Sequence, residues 1–331
     1  MRMLIIDIVL MTMILLFSSC NHKELCLGHP HMIDISLDFD WRNAPDANPA
    51  GMGVFFYPVN GGEPIRYNFT GTEGSKIRIP LGEYTLIAYN YDTEAILFDY
   101  VSDFSEHTGY TRQGSIGEMV DGYSASYIPQ SKASDDEKVV ISPDMLWGTY
   151  ALDIEISESG IKYRCVCEED GNLLNHENDY HNLVVFPMEL VCNYTYEVRN
   201  VSNLDHVEQM CGSLSGMSGA LYFSSHELDN ECVTIPFAAH SDGESKITGG
   251  FLTFGHHERV EKSHMMLFYL WMDDGKKYYY EYDVTDQIHE APDKRNVHII
   301  IDGLDLPEPM PDDNMGVGMD DWITVEGEII M

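Results

Sequence analysis

Residues 31–41 read HMIDISLDFDW, and the alternation is unbroken. Ile33, Ile35, Leu37, Phe39 and Trp41 fall on one side, and Asp34, Ser36, Asp38 and Asp40 on the other. A strand points successive side chains to opposite faces, so this period of two predicts a half-buried strand with one wet face. Working outward, strand patterns recur at 54–57, 65–69, 76–79, 84–90 and 96–100. Between them lie NGGEP (60–64), TGTEGS (70–75) and PLGE (80–83), which are turn sequences. Short strands at this spacing, with no long helical period, predict an antiparallel β-sandwich and not a parallel α/β sheet.

Residues 102–138 break the pattern. They are rich in Ser, Gly and Asp, and the charge run Asp135–Glu137 predicts a solvated loop. VVISPDMLWGTY (139–150) restores a strand, and the domain boundary is placed there, between 149 and 150. The second half shows strands at 150–156 and 161–167, then one long strand within 181–201. On that strand Met188, Leu190, Cys192, Tyr194, Tyr196 and Val198 share a face. SNLDHVEQM (202–210) opens on an N-cap serine, with Leu204, Val207 and Met210 at helical spacing, and predicts one short helix. CGSLSGMSGALYF (211–223) reads as small and flexible. Further strands follow at 232–237, 247–254, 265–272, 276–284 and 297–301. Asp274-Gly275 between two strand patterns signals a hairpin. The halves are alike in size and style, without a letter-level repeat.

The N-terminus reads MTMILLFSSCNHKELC at 11–26. The apolar run 8–17 suits a signal-peptide core and is too short to span a bilayer. Ser18, Ser19 and Cys20 follow it, a pattern that resembles the bacterial lipoprotein signal, although Phe17 stands where Leu is usual and Asp7 precedes the run. Residues 1–19 are therefore read as a signal peptide and 20–30 as a linker lipidated at Cys20. The alternative is an ordinary secretory signal with a chance cysteine.

Net charge is −36, which repels phosphate backbones and argues against a nucleic-acid partner. A hydrophobic fraction of 44% supports a folded core. With Cys20 lipidated, Cys26, Cys165, Cys167, Cys192, Cys211 and Cys232 remain, and their pairing is open. Cys165 and Cys167 share a face if they lie on a strand and could bind a metal together, but no second matching pair accompanies them, so no metal site is predicted.

Catalytic patterns fail one by one. GHHERVEKSH (255–264) holds His256, His257 and Glu258 without the helical spacing of a zinc protease, and reads as a solvated turn. His29 and His31 read as linker, and His176 and His181 as a polar loop. GSLSGMSG (212–219) has Leu214 where a hydrolase elbow needs serine. Asp312–Asp313 and Asp320–Asp321 lack the calcium-loop pattern. Tyr278, Tyr280 and Tyr282 share one strand face, which either covers a sheet or stacks on sugar. The expectation is no enzyme and no cofactor.

Several blocks resemble a known family. They are YTYEVRNVSNLDHVEQMCGSLSGMSGALYFSS (194–225), ITGGFLTFG (247–255), DGKKYYYEYDVTDQI (274–288) and NVHIIIDGLDLP (296–307). CNHKELC (20–26), FDWRNAPDANPAGM (39–52) and ISPDMLWG (141–148) agree. Together they resemble an uncharacterised family of gut Bacteroidales lipoproteins, itself similar to the fimbrillin-associated anchor and assembly proteins of type V pili. The resemblance covers nearly the whole chain. It implies an all-β chain of two tandem transthyretin-like antiparallel β-sandwich domains with a minor helix, at 31–149 and 150–309, followed by an acidic tail at 310–331 with a terminal strand. It implies an outer-membrane lipoprotein at the cell surface, with fimbrial subunits as partners and no catalytic residues. It also implies assembly by β-strand addition, in which main-chain hydrogen bonds give affinity and alternate side chains give specificity. The candidate exchange segment is WITVEGEII (322–330), opened by Trp322, with Ile323, Val325 and Ile329 on one face. Pairing of that segment within its own domain is the other reading. A surface glycan-binding lipoprotein without enzymatic activity is the alternative function.

Overall fold

Met32–Phe39 forms the strand that its alternation predicts. Ile35 and Leu37 are buried, and Ile33, Phe39 and Trp41 pack beside them. The computed structural model describes residues 31–120, 128–130, 136–167, 172–178, 180–257, 262–308 and 322–326. Met32–Phe39 is the middle of a three-stranded sheet, antiparallel to Ser75–Pro80 and parallel to Asn182–Val185. Facing it is a larger sheet in the order Leu173–Asn178, Gly160–Val166, Trp147–Ser157, Gly82–Asn90, Gly51–Pro58, Ile65–Thr70. Ile35, Ile77 and Leu183 of the small sheet meet Phe56, Leu86 and Ile154 of the large one in a shared core.

A second sheet pair repeats the arrangement. Its smaller sheet runs His240–Ser241, Ile247–Thr253, Cys192–Ser202, Asn296–Asp305. Its larger sheet runs Trp322–Glu326, Lys277–Asp283, Met265–Met272, Val207–Ser218, Cys232–Ala238, Lys138–Val139. The core between them is aromatic: Tyr194, Tyr196 and Phe251 face Phe237, Phe268 and Tyr280. The two pairs meet through a third cluster, where Phe55, Tyr57 and Tyr89 of the first large sheet pack against Leu221, Phe223 and Phe254. A small sheet of Ile96–Asp99, Thr108–Thr111 and Ala220–Tyr222 also joins the halves.

The fold is an all-β sandwich, as expected, but several local expectations change. The position 149/150 lies inside the strand Trp147–Ser157, which pairs with Gly82–Asn90. The first sheet pair therefore continues to Asn182–Val185, because those late strands complete sheets begun by earlier ones. The long strand expected in 181–201 divides: Asn182–Val185 closes the first pair, and Cys192–Ser202 opens the second. Four pairings among the described residues are parallel, although the pattern predicted an antiparallel sandwich.

The helix expected at 202–210 is a 3-10 turn, Leu204–His206, followed directly by the strand Val207–Ser218. An apolar trio over nine residues is too short to hold a helix against pairing with strands on both sides. The supposedly flexible segment from 211 is the middle of this central strand. Its small residues are required there, since a Cβ on Gly212 would sit 2.2 Å from Phe237 Cε2. Among the described residues the α-helix is Thr285–His289. The hairpin at Asp274-Gly275 is present, with Gly275 at φ +78° donating its N–H to the Met272 carbonyl at 2.9 Å.

Candidate strand-addition site

The two large sheets share one strand order. In the first, Ile65–Thr70, Gly51–Pro58, Gly82–Asn90 and Trp147–Ser157 lie side by side. In the second, Cys232–Ala238, Val207–Ser218, Met265–Met272 and Lys277–Asp283 take the same places. The next place differs. In the first sheet Gly160–Val166 fills it, antiparallel to its neighbour and only a tight turn away. In the second sheet the chain turns instead into Thr285–His289. The place beside Lys277–Asp283 is taken by Trp322–Glu326, a parallel strand from the end of the chain.

That terminal strand runs in register from Lys277↔Trp322 to Glu281↔Glu326. Ile323 and Val325 turn toward the aromatic core. Trp322 turns to the opposite face, with ring centroids 5.0 Å from Trp271 and 5.6 Å from Tyr269 in edge-on geometry. Thr324 Oγ1 donates to Tyr279 Oη at 2.6 Å. Alternate side chains thus reach opposite faces while the main chain pairs, which is the chemistry strand addition uses. Ile329 and Cys20 lie outside the described residues.

Two other edges of this sheet pair are partly covered. Asn296–Asp305 pairs on one side with Cys192–Ser202. On its other side, Ile300 donates its N–H to Gln287 Oε1 at 2.8 Å and accepts from Gln287 Nε2 at 2.9 Å at its carbonyl. One side chain thereby occupies the outward main-chain groups in the middle of the edge, which discourages pairing with another chain. Cys232–Ala238 carries Lys138–Val139. Glu137 just before it is buried, unlike the solvated run expected at 135–137: its carboxylate accepts from Gly216 N, Thr234 Oγ1 and Lys262 Nζ, each at 3.0 Å. Three donors replace the water that a buried carboxylate loses.

The histidine-rich segment near 255–264 is also not a solvated turn at its ends. His256 and His264 are buried, and their rings lie 5.4 Å apart beside His289. His256 Nδ1 meets Tyr194 Oη at 2.8 Å, and His264 Nδ1 meets the Ser215 carbonyl at 3.1 Å. Burial lowers both pKa values to about 4, so both rings are neutral at pH 7. Glu258 lies outside the described residues. Tyr278, Tyr280 and Tyr282 are all buried in the second core, so their shared face covers a sheet and offers no platform for sugar. No helix among the described residues is long and apolar enough to cross a membrane.

Residues 19–238 match a family described as Domain of unknown function (DUF5119). The chain belongs to that family. The DUF5119 match covers the first sheet pair and stops at the end of Cys232–Ala238 in the second. Among curated proteins, this chain is 24% identical over 250 residues to one from Bacteroides ovatus named "Putative fimbrium anchoring subunit Fim4B". The alignment takes in 75% of this chain but 64% of that relative's length. A crystal structure of a "putative adhesin" from Bacteroides ovatus has a TM-score of 0.63 at 19% identity, covering 84% of this chain and 93% of the other. It shows a shared fold. The fimbrial anchor protein Mfa2 of Porphyromonas gingivalis covers 81% of this chain and 90% of its own at 12% identity. The TM-score between the two is 0.46.

Proposed function

We propose that this DUF5119 chain is an anchoring or adhesion component of a fimbria, tethered to the outer membrane by lipid on Cys20 and joined to partner subunits by β-strand addition. In this reading the chain is two tandem domains, divided near 191 where the first sheet pair is complete. The name of the Bacteroides ovatus relative supports the fimbrial role. One observation carries the mechanism: the edge beside Lys277–Asp283 is occupied by Trp322–Glu326, a parallel strand remote in sequence, where the first half uses an adjoining hairpin. A place filled by a strand without a tight turn to its neighbour can be filled by an equivalent segment of another subunit. Such a strand would bring main-chain hydrogen bonds and two apolar side chains in the positions of Ile323 and Val325.

The test is purification of the full-length chain from the outer membrane of its native host. Wild-type protein is expected to bring a fimbrial subunit with it. Ile323→Asp/Val325→Asp should change subunit recovery by about tenfold or more, since charges on the core face oppose docking of that strand. Cys20→Ala should leave the chain folded and move it out of the membrane fraction. Unchanged subunit recovery in the double variant would refute strand addition at this edge, and membrane retention of Cys20→Ala would refute the lipid tether.

A further inference from the structure

A different feature lies in the first sheet pair, away from the terminal strand. Tyr163, Cys165 and Cys167 succeed one another on the core-facing side of Gly160–Val166 and the residue after it. The adjacent strand, Leu173–Asn178, runs antiparallel with His176 directly opposite Tyr163. The polar loop expected around His176 is thus part of a strand, and His176 points inward. Its ring stacks on Tyr163, with centroids 4.8 Å apart and planes within 13°. Phe186 flanks it at 5.9 Å.

This stack aims His176 Nε2 at Cys167, 2.9 Å from Sγ. Cys167 Sγ is in turn 2.9 Å from Cys165 Sγ. The three donor atoms all lie within 4.8 Å of one another. Cys165 and Cys167 are 0% and 5% exposed, in a core otherwise lined by apolar side chains. Packing alone has no need of an imidazole nitrogen and two sulfurs converging on one point.

We propose that Cys165 Sγ, Cys167 Sγ and His176 Nε2 form a binding site for one divalent ion of the zinc class. Two thiolates and a neutral imidazole are the soft and borderline donors such an ion selects. A tetrahedral ion with bonds of about 2.3 Å to sulfur and about 2.0 Å to nitrogen holds its donors roughly 3.5–3.8 Å apart. The two 2.9 Å separations therefore open by under about 1 Å, a change that small side-chain rotations supply. Charge also balances. Each thiol releases its proton as its sulfur bonds the ion, so two protons leave and a dication with two thiolates is neutral. A lone thiolate would be disfavoured in this core, and burial does push the Cys165 thiol well above its usual pKa. Burial likewise lowers the pKa of His176, which keeps its ring neutral and able to ligate.

The ion would bridge the two arms of the hairpin at the edge of the first large sheet, Gly160–Val166 with the residue after it and Leu173–Asn178. That gives the site a structural role independent of the fimbrial reading.

The experiment uses the full-length chain, reduced, free of a polyhistidine tag and stripped with a chelator, then titrated with Co²⁺ and Zn²⁺. One Co²⁺ per chain is expected, with thiolate-to-cobalt charge-transfer absorption and the intense visible bands of tetrahedral cobalt. Zn²⁺ should displace it. His176→Ala should weaken binding by at least about tenfold. Cys165→Ser and Cys167→Ser should abolish the charge-transfer band, whereas Cys192→Ser and Cys232→Ser should retain it. The His176 variant keeps the test decisive if a core cysteine variant fails to fold. A folded, reduced wild-type chain that takes up no cobalt overturns the proposal. So does a His176→Ala chain that binds like wild type, or host-purified protein carrying a Cys165–Cys167 disulfide and no metal.

Discussion

The first and second sheet pairs place equivalent strands in the same order but close themselves differently. In both, the opening strand of the small sheet sits between an antiparallel neighbour and a late parallel one. Met32–Phe39 lies between Ser75–Pro80 and Asn182–Val185; Cys192–Ser202 lies between Ile247–Thr253 and Asn296–Asp305. In the first pair the large sheet is then extended by chain already present, Gly160–Val166 and Leu173–Asn178. In the second, the equivalent place receives Trp322–Glu326 from the far end. The interiors differ as well. The first core is largely aliphatic and holds the thiol–imidazole cluster, and the second is packed with Tyr and Phe. One topology is thus completed in two ways: by an adjoining hairpin in the first pair, and by the parallel strand Trp322–Glu326 in the second.

Each half is most vulnerable where backbone passes close to its neighbours. A Cβ on Gly74 would lie 1.7 Å from the Leu37 carbonyl oxygen, and one on Gly212 lies 2.2 Å from Phe237 Cε2 and 2.7 Å from the Leu267 carbonyl oxygen. Gly74→Val and Gly212→Val should each cost about 3 kcal/mol or more, because a main-chain obstacle cannot rotate away. Hydrogen exchange should accelerate around 32–39 and 75–80 in the first variant, and around 207–218 and 232–238 in the second. Accelerated exchange across both halves in either variant would show that they do not unfold separately.

Acid should separate the halves less sharply. His256 and His264 have folded pKa values of about 4, lowered by burial, against about 6.5 in an unfolded chain. Between those values the unfolded state binds more protons, so stability rises with pH. The contribution is fully present above about pH 6.5 and is lost as pH falls toward about 4. Each ring contributes a slope of at most about 1.4 kcal/mol per pH unit. Denaturant midpoints between pH 7 and 5 should fall, and His256→Gln should flatten the dependence. The smallest effect concerns the guarded edge. Gln287→Ala should cost about 1 kcal/mol, since the Ile300 N–H and carbonyl can turn to water. It should also raise self-association in sedimentation, whereas unchanged association would show that Gln287 does not protect the edge.

Much of this molecule was legible locally. The alternation at 31–41, the Asp274-Gly275 turn and the tyrosine face at 278–282 each depend on a few consecutive residues, and each is found in the structure. The helix expected at 202–210 does not form because an apolar trio over nine residues cannot hold one against the pairing of Val207–Ser218 on both sides. The charge of Glu137 suggests solvent, but its three hydrogen-bond donors come from positions 79 to 125 residues away, which no local pattern displays. His176 stands in a polar run whose composition suggests a loop, and only its pairing opposite Tyr163 turns it inward. A single sequence places Cys165 and Cys167 on one face but cannot say which strand lies next to them.

By itself the sequence determined that this chain is all-β, where most strands begin and end, and which faces of those strands are apolar. Those properties follow from side-chain periodicity and turn chemistry, which act over a handful of residues. Tertiary structure alone decided that residues 147–189 complete the first sheet pair, that Trp322–Glu326 fills the edge of the second, and that Cys165, Cys167 and His176 converge. Those outcomes depend on strand register and on parallel pairings closed across long stretches of chain, which main-chain hydrogen bonds establish without regard to side-chain identity.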